Sequence, residues 1–322
     1  MLGTVSQRVG GWAAVWAERR QGRDSTAITL KRRRIYILPT RFGLVFAALV
    51  FAMLLGSLNY GASLGFVLTF LLTGLGLVIM HHCHNNLLGM EIRFAGAVPV
   101  FAGQPAAYRI ALVNGATSPR YELALRHEDR TVGPADIAAG HAKTLEITTA
   151  TEARGWQPLQ RFAVETRHPG GLFRAWTWVH MDARCLVYPE PAAAGRPIPL
   201  SSGGHGRRGM PDHDDSDFIG LRTAVPGDPP SLLAWKAYAR SGELLLKQFS
   251  GAGETPSLLD WDSLPELEAE ARLSQLTRWC LDAASARRSF GLRLPATTIP
   301  IGSGDKHLQE CLQALALHGL ER

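Results

Sequence analysis

The sequence has no Asp, Glu, Lys or Arg between Phe42 and Met90. Within this charge-free run, two apolar stretches, residues 42–58 and 64–80, flank a short polar break. At about 1.5 Å per residue, each stretch would span about 26 Å as a helix, which is close to the hydrocarbon core of a bilayer, about 30 Å thick. The absence of charge over this length predicts a transmembrane helical hairpin over residues 42–80.

Two other structures could account for the apolar stretches. A cleavable signal peptide fits poorly, because a long basic arm precedes the first stretch, no small-residue cleavage pattern follows it, and a second stretch begins five residues later. A buried helical hairpin in a large soluble core is the other alternative, and the uninterrupted apolar length weighs against it.

Positive charge is concentrated before the hairpin. Residues 1–41 contain nine Lys or Arg and two acidic residues, a net charge of +7, whereas the whole chain carries +6. By the positive-inside rule this basic arm lies in the cytoplasm, and two crossings return residues 81–322 to the same side. The high pI, about 9.4, is therefore explained by membrane orientation, and we expect the lipid bilayer, not a nucleic acid, as a partner.

The residue patterns of common catalytic sites are also missing. The four cysteines are widely separated and form no CxxC pair, as is typical of a reducing compartment. Cys280 and Cys311 are expected to be small buried hydrophobes. The sequence has no Walker-type Gly-Lys-Ser/Thr loop and no nucleophile elbow. These absences predict a non-enzymatic protein without a cofactor.

Residues 91–189 show short runs of alternating polarity between clusters of turn residues, which favours a small β-sandwich. Trp156, Trp176 and Trp178 are expected to be core or edge aromatics of this sandwich rather than ligand contacts. The following Pro-, Gly-, Ala- and Ser-rich residues 190–216 are expected to be a linker or mobile loop. The predicted strands are residues 91–94, 107–113, 121–126, 144–148, 162–166, 175–180 and 185–188.

A turn and a helix are predicted next. Pro226-Gly227-Asp228 is a typical turn, after which residues 231–238 have helical spacing and Lys236 and Arg240 lie on one face. Two roles are compatible with this segment. In the first it is an internal scaffold with acidic residues paired to basic ones and Trp235 packed inward. In the second it is a docking surface for an acidic or phosphate-bearing group.

The C-terminal residues have a β-α-β-α pattern. Strands are predicted at residues 257–260 and 290–294, and helices from the capping-box spacing at 263–266 to about Arg287 and over residues 306–318. Such a run implies a parallel sheet. The first helix has one apolar face, formed by Leu273, Leu276, Cys280 and Ala283.

Several of these features together resemble the "domain of unknown function 58" family of bacterial membrane proteins. Besides the hairpin, the resemblance rests on Ala153-Arg154-Gly155-Trp156, on the segment from His168 to Phe173, and on Val187-Tyr188-Pro189. Its most specific part is the motif of Arg222, Pro226, Gly227, Asp228, Trp235, Lys236, Ala239 and Arg240. These motif residues are the candidate partner-binding or structural site.

The resemblance implies a von Willebrand factor A-like domain over residues 217–322. The fullest form of that domain binds a divalent cation through Asp-x-Ser-x-Ser, whereas this chain has Asp260-Trp261-Asp262-Ser263-Leu264. Only Asp260 matches a ligand position, so it is a weak candidate metal ligand in a partial domain. A divalent-cation-dependent adhesion module near Asp260 is the alternative function.

The resemblance also implies a location and partners. Such proteins are commonly encoded beside MoxR-type AAA+ ATPases and transglutaminase-like membrane proteins, which implies a role in envelope-associated assembly or maturation. The sequence therefore predicts an α+β protein of the bacterial inner membrane, with both termini cytoplasmic, that acts as a scaffold or adaptor. A transporter subunit is a weaker alternative, because two short spans without intramembrane charge provide no path for an ion.

Overall fold

The structure, a computed structural model, describes residues 26–198, 218–223, 238, 245–249 and 257–320. The chain divides into two compact units, residues 1–188 and 189–322. Its overall class is α+β, as predicted, with two long apolar helices and several sheets that are mostly antiparallel.

The two apolar stretches form the helices α1 (Arg41–Tyr60) and α2 (Ser63–Leu87). Gly61 ends α1 in the left-handed conformation, with φ of 59°, which a glycine adopts without strain and which allows the immediate reversal into α2. Both helices are long and apolar enough to cross a membrane, and about nine tenths of each remains unburied. Exposed apolar side chains over this length suit a lipid surrounding.

Apart from the two helices, the described part of the first unit, residues 26–188, contains twelve strands. They form a four-stranded sheet, β1-β3-β5-β8, a five-stranded sheet, β2-β11-β10-β6-β7, and a three-stranded sheet, β4-β12-β9. All pairs are antiparallel except β4 with β12. The bounds are β1 (Ala27–Thr29), β2 (Tyr36–Pro39), β3 (Glu91–Ala97), β4 (Val100–Phe101), β5 (Ala106–Val113), β6 (Arg120–His127), β7 (Arg130–Ile137), β8 (Ala142–Thr149), β9 (Gly155–Pro158), β10 (Phe162–Thr166), β11 (Phe173–Val179) and β12 (Arg184–Tyr188).

The core of this unit lies between the sheets. In β5, alternate side chains from Ala106 to Leu112 are fully buried, as the period of two in a strand requires. Tyr108 is among them, and its hydroxyl donates 2.8 Å to the carbonyl of Gln157, so this large side chain is buried without an unpaired polar atom. The resulting fold agrees with the predicted β-sandwich.

Two strands of the first unit come from the basic arm. β1 pairs with β3 and β2 pairs with β11, both antiparallel. The segments before and after the hairpin therefore share the same sheets. Residues 1–25 of the predicted arm lie outside the described residues.

In the second unit, the described residues form two small sheets. One is a pair of antiparallel strands, β13 (Phe218–Thr223) and β14 (Leu245–Phe249). The other consists of β15 (Ser257–Asp260), β16 (Phe290–Leu294) and β17 (Thr297–Gly302), where β15 and β16 are parallel and β17 is antiparallel to β16. The expectation of a parallel sheet thus holds for one strand pair, and the unpredicted β17 makes the sheet mixed.

Two helices accompany the three-stranded sheet, α3 (Ala269–Ser285) and α4 (Asp305–Leu317). A short 3-10 helix, Trp261–Ser263, precedes α3, which therefore begins a few residues after the predicted capping box. The apolar face predicted for α3, from Leu273 to Ala283, is fully buried. The helix face was predictable because its apolar residues recur with the helical period.

The beginning of the predicted linker contacts α3. The amide of Ala192 donates 3.0 Å to the carbonyl of Ser274, and the indole Nε1 of Trp279 donates 3.0 Å to the carbonyl of Arg196. Arg196 also pairs with Glu266 at 2.5 Å. These bonds hold residues 192–196 along the helix, while residues 199–216 lie outside the described part of the chain.

Candidate functional site

The motif predicted between residues 222 and 240 falls mainly outside the described residues. Arg222 lies in β13, where its backbone is in register with Leu246 of β14. Arg222 is thus part of the two-stranded sheet formed by β13 and β14. The other predicted site residues, which are Gly227, Asp228, Trp235, Lys236 and Arg240, lie outside the part of the chain that is described, so their role stays a prediction.

Asp260, the candidate metal ligand, lies at the end of β15 and begins the short 3-10 helix. Its Oδ1 accepts a hydrogen bond of 3.2 Å from the amide of Asp262, and its Oδ2 accepts one from the guanidinium of Arg293 on the neighbouring strand β16. The hydrogen bond from Arg293 lowers the pKa of the Asp260 carboxyl below its ordinary value. The carboxylate is therefore ionised and already paired with a cation.

Asp260 caps the turn after β15 and links β15 to β16. Residue 264 of the cation motif is Leu264, which is 1% exposed and whose side chain has no oxygen. Among the described residues, no three His, Cys, Asp or Glu side chains lie close enough together to hold a metal ion. A metal site near Asp260 stays a prediction.

The two buried cysteines of the second unit face each other from α3 and α4. A hydrogen bond with Cys311, together with burial, raises the pKa of the Cys280 thiol well above its ordinary value. His307 donates from Nε2 to the carbonyl of Phe290 at 2.7 Å and lies 3.6 Å from the sulfur of Cys311. Cys280 is therefore a protonated thiol with little nucleophilic character, which agrees with the predicted packing role.

Hydrogen bonds join the base of the hairpin to the sandwich. Thr40 caps α1, accepting a hydrogen bond of 3.1 Å from the amide of Gly43. The same hydroxyl donates 2.6 Å to the carbonyl of Gly171, and the Thr40 amide donates 2.9 Å to the carbonyl of Leu172. The loop before β11 therefore holds the first turn of α1.

Close packing accompanies these hydrogen bonds. A Cβ added at Gly43 would lie 2.0 Å from the carbonyl oxygen of Leu172. Only a glycine lets the backbone of α1 approach the loop to this distance. The segment from His168 to Phe173, which carries part of the family resemblance, thus contacts the start of the first apolar helix.

The end of α2 enters the sandwich. Asn86 is 5% exposed, and its side-chain amide donates 2.7 Å to the carbonyl of Tyr121 and 2.8 Å to the hydroxyl of Thr166. Its Oδ1 accepts a hydrogen bond of 3.1 Å from the amide of Tyr121. Arg120 donates to the carbonyls of Asn85 and Leu88 at the same helix end. The carbonyls of Asn85, Leu88 and Tyr121 and the amide of Tyr121 are thus hydrogen-bonded within the protein.

The junction couples both helices to one sheet. α1 is fixed through the loop before β11, and α2 through β6 and β10, which are all parts of the five-stranded sheet. A displacement of one helix relative to the other would therefore disturb hydrogen bonds and close packing in this sheet.

Compared with known proteins, the sequence matches no protein-family model, and no curated protein shows significant similarity to it. The site is therefore assessed from its own geometry. The family resemblance therefore stays a prediction that rests on the sequence motifs named above.

The outer face of the same sheet carries a buried ion pair. Oε2 of Glu165, on β10, lies 2.8 Å from Nη2 of Arg174 and 3.2 Å from Nε of Arg126, so the carboxylate forms ion pairs with both arginines. The side chain of Glu165 is 9% exposed, whereas those of the two arginines are about one third exposed. Such a buried carboxylate needs both partners, because an unpaired charge in this position is costly.

Tryptophan side chains extend this cluster. The guanidinium of Arg174 lies 5.0 Å from the ring centre of Trp176, and that of Arg161 lies 4.9 Å from Trp178. Tyr36 of β2 stacks on Trp176 with ring centres 5.8 Å apart. Trp176 and Trp178 are thus half-buried on β11 and packed against protein side chains, whereas Trp156 is 50% exposed.

Several residues of the junction were not predicted from the sequence. Thr40 carried a recognisable signal, because a threonine directly before an apolar run is a typical helix N-cap. Asn86 and Arg120 carried none, since their roles depend on contacts with residues more than 30 positions away along the chain. Glu165 lies in a predicted strand, so its sheet face could be predicted. Its pairing with Arg126 and Arg174 could not, because these residues lie on other strands.

Proposed function

We propose that this protein is a membrane-anchored, non-enzymatic scaffold of the bacterial inner membrane, with both termini in the cytoplasm. Its hairpin would hold the β-sandwich and the partial von Willebrand factor A-like domain at the membrane surface. Membership of the "domain of unknown function 58" family is part of the proposal and is carried by the motif around residues 222–240.

One observation carries the scaffold function. Strands from both flanks of the hairpin, β1 and β2 before it and β3 to β12 after it, complete the same sheets. Sheets shared in this way require both flanks to lie on one side of the membrane, which is the topology that the positive-inside rule favours for a basic arm. A rigid, two-point attachment suits a protein that presents a surface to a partner.

The chemistry of the described residues agrees with a role based on contact. Asp260 is paired with Arg293, Glu165 is paired with Arg126 and Arg174, and burial holds the thiols as small apolar groups. These groups stabilise the fold, and each already has its partner. An activity would then be supplied by another protein.

The proposed partner is a MoxR-type AAA+ ATPase, with a transglutaminase-like membrane protein as a second component of an envelope assembly or maturation system. The family resemblance supports this choice. The basic arm and the motif with Arg222, Lys236 and Arg240 offer positive charge to acidic or phosphate-bearing surfaces.

Affinity purification tests the proposal. The tagged full-length chain would be solubilised in a mild detergent from the bacterium that produces it, and the bound proteins identified by mass spectrometry. An unrelated tagged inner-membrane protein with two spans serves as the control. Enrichment of an AAA+ ATPase over that control is expected, and its absence with and without ATP would contradict the proposed partner.

A further inference from the structure

The loop between β10 and β11, residues 167–172, lies beside both apolar helices. Its Leu172 carbonyl packs on Gly43 of α1, and a Cβ added at Gly170 would lie 3.9 Å from Cδ1 of Ile79 in α2. Gly43 and Ile79 both belong to the charge-free apolar run. When the hairpin spans a bilayer, this loop therefore lies where the hydrocarbon core meets the phospholipid headgroups.

Arg41 and His81 mark the level at which the two helices leave the apolar layer. A Cβ added at Gly76 of α2 would lie 3.4 Å from the ring of Phe46 in α1. Five residues closer to the sandwich in each helix, about 7.5 Å along its axis, come Arg41 and His81, and both side chains are exposed. The headgroup layer, about 5–8 Å thick on each side of a bilayer, begins at this level.

Three arginines lie near this level. Arg41 is the first residue of α1, Arg167 is the first residue of the loop, and Arg174 follows the loop in β11. The amide of Gly171 donates 3.0 Å to the carbonyl of Arg167, and its carbonyl accepts from the hydroxyl of Thr40, so Arg167 is one turn away from the start of α1. Burial lowers the pKa of the Arg174 guanidinium, and the nearby positive charge of Arg167 acts in the same direction.

Few acidic groups balance these cations. The sequence has no Asp or Glu between residues 25 and 90, and the carboxylate of Glu165 is shared between Arg174 and Arg126. The exposed side chains of Arg41 and Arg167 form no hydrogen bond or ion pair with a described residue. Both guanidinium groups are therefore available to an anion outside the protein.

The surrounding residues add more positive charge than negative charge. Glu122 follows Tyr121 near the end of α2 and contributes one exposed carboxylate. The amide of Leu30 donates 2.8 Å to the carbonyl of Met90, just after α2, which brings the next residues of the chain to the same end of the sandwich. These residues include three exposed cations, Lys31, Arg32 and Arg33. The base of the hairpin thus presents an excess of positive charge.

Amphipathic side chains extend from the loop along the outer face of β2 and β11. Leu38 is 58% exposed and in register with Arg174, and Tyr36 is in register with Trp176. Tyr36 is four residues before the helix cap Thr40, a distance of at most about 14 Å along an extended chain. Trp and Tyr are enriched at membrane interfaces, because their rings combine an apolar body with a polar group. This face therefore has the composition of a membrane-interface surface.

We propose that a headgroup collar at the hairpin base binds anionic phospholipids of the leaflet that faces the sandwich. The collar consists of Tyr36, Leu38, Arg41, Arg167, Arg174 and Trp176. Its guanidinium groups pair with phosphate oxygens, and its apolar surface continues that of the two helices. The proposal rests on the membrane anchoring in the proposed function and adds the class of lipid. A zwitterionic headgroup fits less well, since its own ammonium group opposes the excess of positive charge.

Competition between two phospholipids tests the proposal. The full-length chain would be reconstituted in nanodiscs that contain equal amounts of phosphatidylglycerol, which is anionic, and phosphatidylcholine, which is zwitterionic. Native mass spectrometry of the released protein counts the lipid molecules of each kind that stay bound. We expect phosphatidylglycerol to be retained in excess. Equal retention of the two lipids would overturn the proposal.

Single substitutions locate the site. Arg41→Gln and Arg167→Gln each remove one exposed cation without breaking a side-chain bond to a described residue. Arg130→Gln is the matched control, since Arg130 is exposed at the β6–β7 turn, about 20 Å from Tyr121 along β6. The excess of phosphatidylglycerol should fall about twofold to fivefold with each of the first two variants and stay unchanged with Arg130→Gln. The same excess in all three variants would overturn the proposal.

Inorganic phosphate separates a lipid site from a site for a soluble anion. Phosphate in excess, compared with sodium chloride of the same ionic strength, should leave the retained phosphatidylglycerol unchanged, because the lipid is also held by its acyl chains beside Leu38 and Trp176. Displacement of the lipid by phosphate would show a site for a soluble anion and overturn the proposal.

The two proposals fail in different ways. Both faces of a nanodisc are in solution, so the lipid measurement does not depend on the topology or on a partner protein. If an AAA+ ATPase co-purifies with the chain but the retained lipids show no preference, the scaffold function stands and the headgroup collar is wrong. If phosphatidylglycerol is retained through Arg41 and Arg167 but no ATPase co-purifies, the collar is confirmed and the proposed partner is wrong.

Discussion

The side-chain amide of Asn86, in the last turn of α2, forms two hydrogen bonds with the backbone of Tyr121 in β6. It donates 2.7 Å to the carbonyl and accepts 3.1 Å from the amide. The Asn86 side chain thus pairs with both backbone groups of Tyr121, as a residue of a neighbouring strand would. The helix and the sandwich are therefore one folded structure.

Replacing Asn86 should destabilise that structure. Asn86→Leu keeps a similar volume but leaves the amide of Tyr121 without its partner, while the carbonyl of Tyr121 keeps its bond from the hydroxyl of Thr166. We therefore expect the free energy of unfolding to fall by about 1–3 kcal/mol. Asn85→Leu is the control, because the side-chain bond of Asn85 to His81 is exposed, and it should change stability by less than about 0.5 kcal/mol. Denaturation of both variants in detergent micelles measures the difference, and equal stabilities would contradict the role of Asn86.

Glycines of α1 provide a second prediction. Gly43→Ala introduces a Cβ that meets the carbonyl of Leu172, whereas at Gly56, in the same helix, an added Cβ meets nothing within 4 Å. The first variant should lose about 1–3 kcal/mol through overpacking. The second should be neutral or slightly stabilising, since alanine favours a helix. Thermal unfolding in nanodiscs separates them, and a neutral Gly43→Ala would show that α1 is not packed against this loop.

The sequence predicts the longer strands of the sandwich well and the shorter or irregular ones poorly. All seven predicted strands of the sandwich are present, because alternating burial leaves a local pattern. Five strands were missed. Strands β1, β2, β4 and β9 are only two to four residues long, and β7 contains Gly133-Pro134 and pairs irregularly with β6. None has the regular alternation, over several residues, on which the prediction depends.

The functional groups were harder to predict than the strands. Thr40 and Leu172 are 132 positions apart, and local periodicity contains no information about such a pair. The same applies to Asp260 and Arg293, which only the pairing of β15 with β16 brings together. The motif residues from Gly227 to Arg240 were recognised through a resemblance, and their prediction awaits a direct test.

The buried carboxylate of Glu165 leads to a third prediction. Glu165→Gln removes the negative charge between Arg126 and Arg174 and leaves two partly buried cations close together, so stability should fall by about 2–3 kcal/mol. Glu152→Gln, at an exposed loop position, should change stability by less than about 0.5 kcal/mol. Urea denaturation monitored by the fluorescence of Trp176 and Trp178 is a direct readout. An unchanged midpoint for Glu165→Gln would contradict the ion pair.

The pKa of Asp260 leads to a pH dependence. Arg293 lowers the pKa of this carboxyl below about 3.8 in the folded protein, so the folded state binds fewer protons than the unfolded state as the pH falls through this range. The stabilising contribution of Asp260 is thus complete above the ordinary pKa and is lost as the pH falls through the folded value. The stability difference between the unmodified chain and Asp260→Asn should be constant near neutral pH and shrink below about pH 4.

A second variant isolates the cause of that effect. Arg293→Gln should reduce stability near neutral pH in the same direction, and combining it with Asp260→Asn should add little, because both changes remove one interaction. Full additivity of the two changes, or a difference that grows on acidification, would show that the two side chains do not interact.

Membrane topology is the central claim, and labelling of introduced cysteines tests it most directly. The four native cysteines are buried and should react slowly with a membrane-impermeant maleimide. The reagent would therefore report on two introduced cysteines at exposed positions. These are Ala62→Cys, in the turn between the helices, and Lys143→Cys, on β8. In spheroplasts, cells with an intact inner membrane, Ala62→Cys should be labelled at once and Lys143→Cys only after permeabilisation. Immediate labelling of Lys143→Cys in intact spheroplasts would contradict a hairpin that holds the sandwich in the cytoplasm.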